Sequence, residues 1–257
     1  MFINNFDPIA FQIFSLEIRW YSLAYIIGIL FGWLYCKKRL IKDHSILNIF
    51  DDYITYVIIG IILGGRLGYA LFYNLKYYLE NPFEILMIWN GGMSFHGGLI
   101  GVIVASHLFS SKHKINQFIF LDLVALSAPI GIFFGRIANF INSELIGRAT
   151  DLPWSVQFIL IDNIKRHPSQ LYEAFFEGII LFFLLRYFFK KNYLDNPGKI
   201  SSLFLIFYSL FRFLAEFFRS PDPQIGYLIL NLTQGQLISV LFLVVGILLF
   251  YLKNNEK

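Results

Sequence analysis

Four short stretches place charged or hydrogen-bonding side chains where they could do chemistry. The richest is GRIANFINSELIGRATD at 135–151, which gathers Arg136, Asn139, Asn142, Glu144 and Arg148. If a helix continues through it, Arg136, Asn139 and Ser143 share a face at spacings of three and four. Arginine's planar fork suits bidentate recognition of a phosphate, and asparagine supplies further donors to an ester or a hydroxyl. The bland alternative is a solvated interfacial loop with ordinary salt bridges. The glycines and apolar residues interleaved through the stretch argue against it. A second stretch, YSLFRFLAEFFRSPD at 208–222, repeats Tyr208, Arg212 and Glu216 every fourth residue, with Arg219 near the next turn. An Arg212–Glu216 salt bridge accounts for that spacing, and it still leaves the guanidinium able to meet an anion. In NGGMSFHGGLIG at 90–101, His96 is bracketed by Gly91, Gly92, Gly97 and Gly98, so a ligand or a helix could approach the imidazole closely. A lone helical histidine is otherwise a structural residue. The fourth stretch, GGRLGYALFYN at 64–74, holds Arg66 among Gly64, Gly65 and Gly68 and ends near Tyr73. Arg66 is either a structural ion-pair partner, with Asp122 a candidate acid, or part of a site.

The elements that must carry these residues are apolar. A soluble domain is roughly half apolar and a quarter charged. This chain of 257 residues is 57% apolar and 15% charged, with 30 Phe and 15 Tyr. Its mean hydropathy is +0.61. Water could not wet such a surface over its whole area, which points to a lipid solvent. A span needs about 20 mostly apolar residues. Seven stretches qualify, at about 20–36, 52–73, 92–110, 117–135, 170–189, 200–218 and 235–252. The expected fold is therefore all-α: a polytopic membrane protein of about seven helices forming a single unit over 1–257.

The net charge is +4, but the positives punctuate apolar runs and do not form one stripe, which argues against a nucleic-acid partner. Lys37, Lys38, Arg39 and Lys42 follow the first stretch. Lys112 and Lys114 follow the third, Lys190, Lys191 and Lys199 the fifth, and KNNEK the seventh. Threading seven spans puts all of these on one side, which the positive-inside rule makes cytoplasmic. The N-terminus is then outside and the C-terminus cytoplasmic. The outer side receives the segment between spans four and five, at 136–169. The N-terminal MFINNFDPIAF lacks the basic start of a signal peptide, so the first span is expected to be retained. Cys36 is the one cysteine and reads as a small buried hydrophobe, with no disulfide or cysteine metal cluster possible within the chain. No phosphate loop, His-Glu-x-x-His pair or Gly-x-Ser-x-Gly elbow occurs, so neither a metal nor another cofactor is expected.

These residues together resemble the prolipoprotein diacylglyceryl transferase family. The family signature G-R-x-x-N-F-x-N-x-E-x-x-G-R is matched by Gly135, Arg136, Asn139, Phe140, Asn142, Glu144, Gly147 and Arg148. R-W-Y at 19–21, H-G-G-L-I-G at 96–101, H-P-S-Q-L-Y-E at 167–173 and F-R-F…E-F-F-R-x-P-D at 211–222 extend the likeness along the chain. Ala138 and Ser143 stand where glycine is common. The resemblance implies an enzyme of the bacterial inner membrane, with multiple spans and an outward-facing site. Its substrates are phosphatidylglycerol, a membrane lipid, and the lipobox cysteine of prolipoprotein signal peptides; its products are a thioether and glycerol 1-phosphate. It also implies that Arg136 and Arg212 are essential and that His96, Tyr21, Asn139, Glu144, Gly147, Tyr208 and Glu216 take part. Arg66, Tyr73, Asn142 and Arg148 complete the expected substrate contacts. The proton acceptor for the thiol is left open between His96 and an oxygen of the substrate phosphate. A small-solute transporter or a scaffold subunit is the competing class. The first predicts paired repeats and midplane helix breaks, which the sequence lacks; the second has no need of an arginine cluster at one interface.

Overall fold

A computed structural model describes residues 2–14, 16–87, 91–191, 196–221 and 226–255. Asn90 of the glycine bracket, Asp222 of the last family run, part of the basic loop after Lys191 and the two C-terminal residues of KNNEK lie outside the described residues.

The chain is mostly helical rather than all-α. Its elements run β1 (Phe2–Asn4), β2 (Ile9–Ile13), β3 (Leu16–Arg19), α1 (Trp20–Tyr35), α2 (His44–Phe72), α3 (Leu75–Glu80), α4 (Phe95–His113), α5 (Gln117–Ile141), β4 (Val156–Phe158), β5 (Lys165–Arg166), α6 (Ser169–Glu173), α7 (Leu181–Lys190), α8 (Lys199–Ala215) and α9 (Gln234–Asn255). A π-helical stretch, Ala174–Ile180, joins α6 to α7. Each of the seven expected apolar stretches carries a helix. Among the described residues, three of these, α2, α5 and α9, are long and apolar enough to cross a membrane by length and composition. The strands lie where the sequence reading placed only loops. β2 and β3 pair antiparallel, and β1 pairs parallel with β4, which pairs antiparallel with β5. Strands this short, of three to five residues or fewer, leave too little alternation to be read from sequence.

The chain forms two compact units. One comprises residues 37–121. Its centre is a glycine seam between α2 and α4, in which Gly60, Gly64 and Gly68 face Gly97 and Gly101. A Cβ at Gly68 would lie 2.7 Å from the Cα of Gly97. Small residues on both helices let the backbones meet, which is how helices associate where no water drives them together. Below the seam Tyr53, Phe109 and Phe120 pack as a buried aromatic cluster, and the Tyr53 hydroxyl lies 2.8 Å from Ser106 Oγ.

The other unit holds residues 1–36 and 122–257. Here α1 meets α5 at glycine too: a Cβ on Gly28 would sit 2.9 Å from the Cα of Gly131. The segment after α5 folds back as a small cap whose core is Phe140, Val156 and Phe158, with Ile146 and Leu171 packed against it. Asn4, fully buried, ties β1 to the end of α5 by donating to the Phe140 carbonyl at 2.6 Å. Asp122 also finds its place in this unit. It accepts from the amides of Gly198 (2.8 Å) and Ser201 (2.7 Å), capping the start of α8 from a neighbouring helix. Arg66, one of the cations that could have paired with it, is bonded to backbone carbonyls instead. The helix's orphan N–H groups and dipole stabilise the buried acid, and the charge of Lys253 adds to this.

Candidate functional site

The site is built from three helical segments of the larger unit. α5 delivers Arg136 near its end, the α6–π stretch delivers Glu173 and Glu177, and α8 delivers Tyr208 and Arg212, with Glu216 at its C-cap. The π-helical stretch packs its Gly178 on Phe133 of α5, where a Cβ would come within 2.8 Å of the phenylalanine Cβ. That close approach brings the fully buried Glu173 and Glu177 against Arg136. π-Helical turns cost hydrogen-bond geometry and recur at functional sites.

The charges interlock. Arg136 Nη1 is 2.8 Å from Glu173 Oε2, and its Nη2 is 3.1 Å from Glu177 Oε2. Arg212 Nη1 is 2.7 Å from Glu173 Oε1 and 3.7 Å from Glu177 Oε1. Arg212 also pairs with Glu216, as the spacing of four implied, and Arg219 Nη1 lies 3.6 Å from the same carboxylate. Thr233 donates to the other Glu216 oxygen at 2.7 Å. Arg136, Arg212 and Arg219 thus face Glu173, Glu177 and Glu216, with formal charges in balance. Several of these contacts are short without being well aimed. Both oxygens of Glu173, Oε1 of Glu177 and Nη1 of Arg212 are buried with no hydrogen bond of good geometry. A buried ion pair repays its desolvation only when its hydrogen bonds are well formed. Its members are held together by charge more than by well-aimed hydrogen bonds.

Around the cluster stand other expected residues. Tyr208 and Tyr21 both lie within electrostatic range of Arg136, and the Tyr21 hydroxyl is 3.4 Å from that of Tyr25. Glu144 is held by two asparagines: Asn139 Nδ2 donates at 2.9 Å and Asn142 Nδ2 at 3.2 Å. Arg148 reaches elsewhere, donating to the carbonyls of Arg219 (2.9 Å) and Glu216 (3.4 Å) beyond α8. Gly147 is a backbone junction. A Cβ there would meet that of His167 at 2.7 Å, and its carbonyl accepts from Ser220 at 2.9 Å and Arg166 at 3.1 Å.

Three expected site residues belong to the other unit. His96 is half-buried at the start of α4, Tyr73 is exposed and stacked on Tyr69, and Arg66 is buried. Glu173 and Glu177 are not among the expected residues. Their signal was available: two acids four apart inside the apolar stretch 170–189 require partners at that depth.

A largely helical, apolar protein whose buried arginines are paired with carboxylates, with tyrosines within electrostatic range, has the make-up of a membrane enzyme. The chain belongs to the prolipoprotein diacylglyceryl transferase family, whose model matches residues 8–252. It is 52% identical over 252 residues to the phosphatidylglycerol--prolipoprotein diacylglyceryl transferase of Rickettsia bellii (strain OSU 85-389), covering 97% of this chain and 96% of that protein. The proteins of that name from Rickettsia akari (strain Hartford) and Rickettsia typhi (strain ATCC VR-144 / Wilmington) are 50% and 49% identical over 259 residues, the full length of each pair.

Proposed function

We propose that this chain transfers diacylglyceryl from phosphatidylglycerol to the lipobox cysteine of a prolipoprotein signal peptide. The observation that carries the reading is the pair of guanidiniums, Arg136 and Arg212, bridged by Glu173 and Glu177. The phosphodiester of the lipid is an anion that competes with those carboxylates for the same forks. In the reaction the cysteine sulfur bonds to the glyceryl carbon and the bond from that carbon to the phosphate oxygen breaks. Glycerol 1-phosphate leaves with the electron pair. The thiol is a poor nucleophile until it loses its proton, which passes to His96 or to a phosphate oxygen. Negative charge grows on the leaving phosphate, and Arg136 and Arg212 stabilise it in a site with little water. Asn139, Asn142 and Glu144 form a polar rim suited to the glycerol hydroxyls, and Tyr208 and Tyr21 flank the guanidiniums.

Seven spans, an outside N-terminus and a cytoplasmic C-terminus complete the reading, in one catalytic domain of the bacterial inner membrane. Its support is the seven helical stretches and the basic residues that follow every second one. The test uses purified protein with phosphatidylglycerol and a lipobox peptide, with glycerol phosphate release as the readout. Arg136→Lys and Arg212→Lys keep a cation in the buried cluster and remove the fork. Each is expected to lower kcat by about 100-fold or more, the usual cost of deleting one transition-state donor. Full activity in either folded variant, or no release by the unaltered protein, overturns the proposal.

A further inference from the structure

Arg66 is 3% exposed, and its guanidinium is saturated by backbone. Nε donates to the Ile85 carbonyl at 2.9 Å. Nη2 donates to the carbonyls of Glu84 (2.6 Å) and Met87 (2.9 Å). Nη1 donates to Gly91 and, at 3.3 Å, to Gly92. A guanidinium has five N–H groups, and all five are used here. The Tyr78 ring lies below, 5.3 Å from the guanidinium carbon. Among the described residues no carboxylate comes within ion-pair distance. A side chain in this state has no donor left for a phosphate.

The carbonyls it gathers belong to the segment that leads into α4. Gly91 and Gly92 take positive φ values of +77° and +82°, a conformation that only glycine adopts freely. At Gly92 a Cβ would also strike the Tyr69 ring. Two residues later Ser94 is pinned twice. Its amide donates to the Gly65 carbonyl at 2.8 Å, beside Arg66 in α2, and its Oγ caps α4 by accepting from the Gly97 amide at 3.2 Å. His96 lies in the first turn after that cap. The start of α4, and with it the imidazole, is therefore held to α2 by neighbouring residues, Gly65 through its carbonyl and Arg66 through its side chain.

We propose that Arg66 is a positioning residue: it clasps the carbonyls of Glu84, Ile85, Met87, Gly91 and Gly92 and so fixes where His96 presents its ring. This rests on the transferase reading and on His96 as its proton acceptor. It removes Arg66 from the substrate contacts. An arginine that held the lipid phosphate equally in the ground and transition states would act on KM and leave the start of α4 unmoved, whereas one that sets the imidazole loosens the start of α4 and acts on kcat, since displacement of a reacting group by about 1 Å costs on the order of 100-fold.

The experiment compares Arg66→Lys and Arg66→Met with His96→Gln and the double variant Arg66→Lys/His96→Gln, all as full-length protein. Two readouts are taken: kcat and KM for phosphatidylglycerol, and hydrogen–deuterium exchange at the amides of Ser94, Gly97 and Gly98. Lysine keeps the charge but not the five-donor fork, so Arg66→Lys covers the case in which Arg66→Met does not insert. The proposal expects faster exchange at those amides, a kcat lowered about 100-fold with KM little changed, and no further loss when Arg66→Lys is added to His96→Gln. A raised KM with unchanged exchange makes Arg66 a lipid contact and overturns it. Faster exchange beside a fully active His96→Gln leaves a clasp without the catalytic purpose assigned to it, and overturns that purpose. If the unaltered protein releases no glycerol phosphate, the transferase reading falls, and unchanged exchange would then sink the clasp separately.

Discussion

Ser143 shows how much one residue of the signature can be asked to bear. Its φ is +56°, and its hydroxyl is buried without a hydrogen-bond partner. The family resemblance puts glycine at this position, and the turn that follows α5 explains why. A left-handed non-glycine residue costs on the order of 1–3 kcal/mol, and the idle hydroxyl adds to that. Ser143→Gly is therefore expected to raise stability by about 1 kcal/mol, read as a higher midpoint of thermal unfolding in detergent. Ala138 departs from the family in the same way but is a buried helical residue, and the structure accommodates its methyl. In the cap, the Arg166 guanidinium beside Asp162 holds that carboxyl below the ordinary range, and burial lowers the His167 imidazole. Both shifts have the same sign. Each group binds a proton less readily in the folded chain, so the stability it lends is present above its ordinary pKa and lost as the pH falls through that range. Acidification from neutral through the histidine range and then the carboxylate range should loosen residues 142–168 first, measurable as accelerated limited proteolysis there. Unchanged protection at acid pH would count against these assignments.

At the scale of elements, glycine placement decides which helices can meet. On the α2–α4 seam a Cβ at Gly101 would press into the carbonyl carbon of Gly60 at 2.6 Å, and the obstacle is backbone, which cannot rotate aside. Gly131 of α5, by contrast, has open space where its own Cβ would stand. Gly101→Ala should cost about 1–3 kcal/mol through overpacking. Gly131→Ala should be neutral or stabilising by up to about 1 kcal/mol through helix propensity. Equal unfolding midpoints for the two would contradict the close approach of α2 and α4. The π-helical stretch works in the same manner on the other unit: Gly178 lets it lie on α5, and the two acids then come to rest against the arginines.

For the whole molecule, basic residues after alternate helices supply a topology with a direct check. A green fluorescent protein fused after residue 257 should fluoresce, and alkaline phosphatase fused there should be inactive, because the first folds in the cytoplasm and the second outside it. The reverse pattern would invert the proposed orientation and place residues 142–168 inside. The larger unit holds the arginine–carboxylate cluster, and the smaller holds His96 and Arg66.

Sequence alone determined the membrane class, the seven helical stretches and which arginines stand in the buried cluster. Hydropathy and a dense local signature depend on neighbours along the chain, and Arg136, Arg212 and Glu216 are readable in that way. Only tertiary structure decided who neutralises whom. Asp122 turned out to cap α8, Arg66 to bind carbonyls, and Glu173 and Glu177 to hold the two arginines. The physical reason is the same in each case. A charge in an apolar medium must find a partner, but which partner depends on helices brought together across long stretches of chain. Spacing along one helix reveals a need for compensation; packing between helices chooses how it is met.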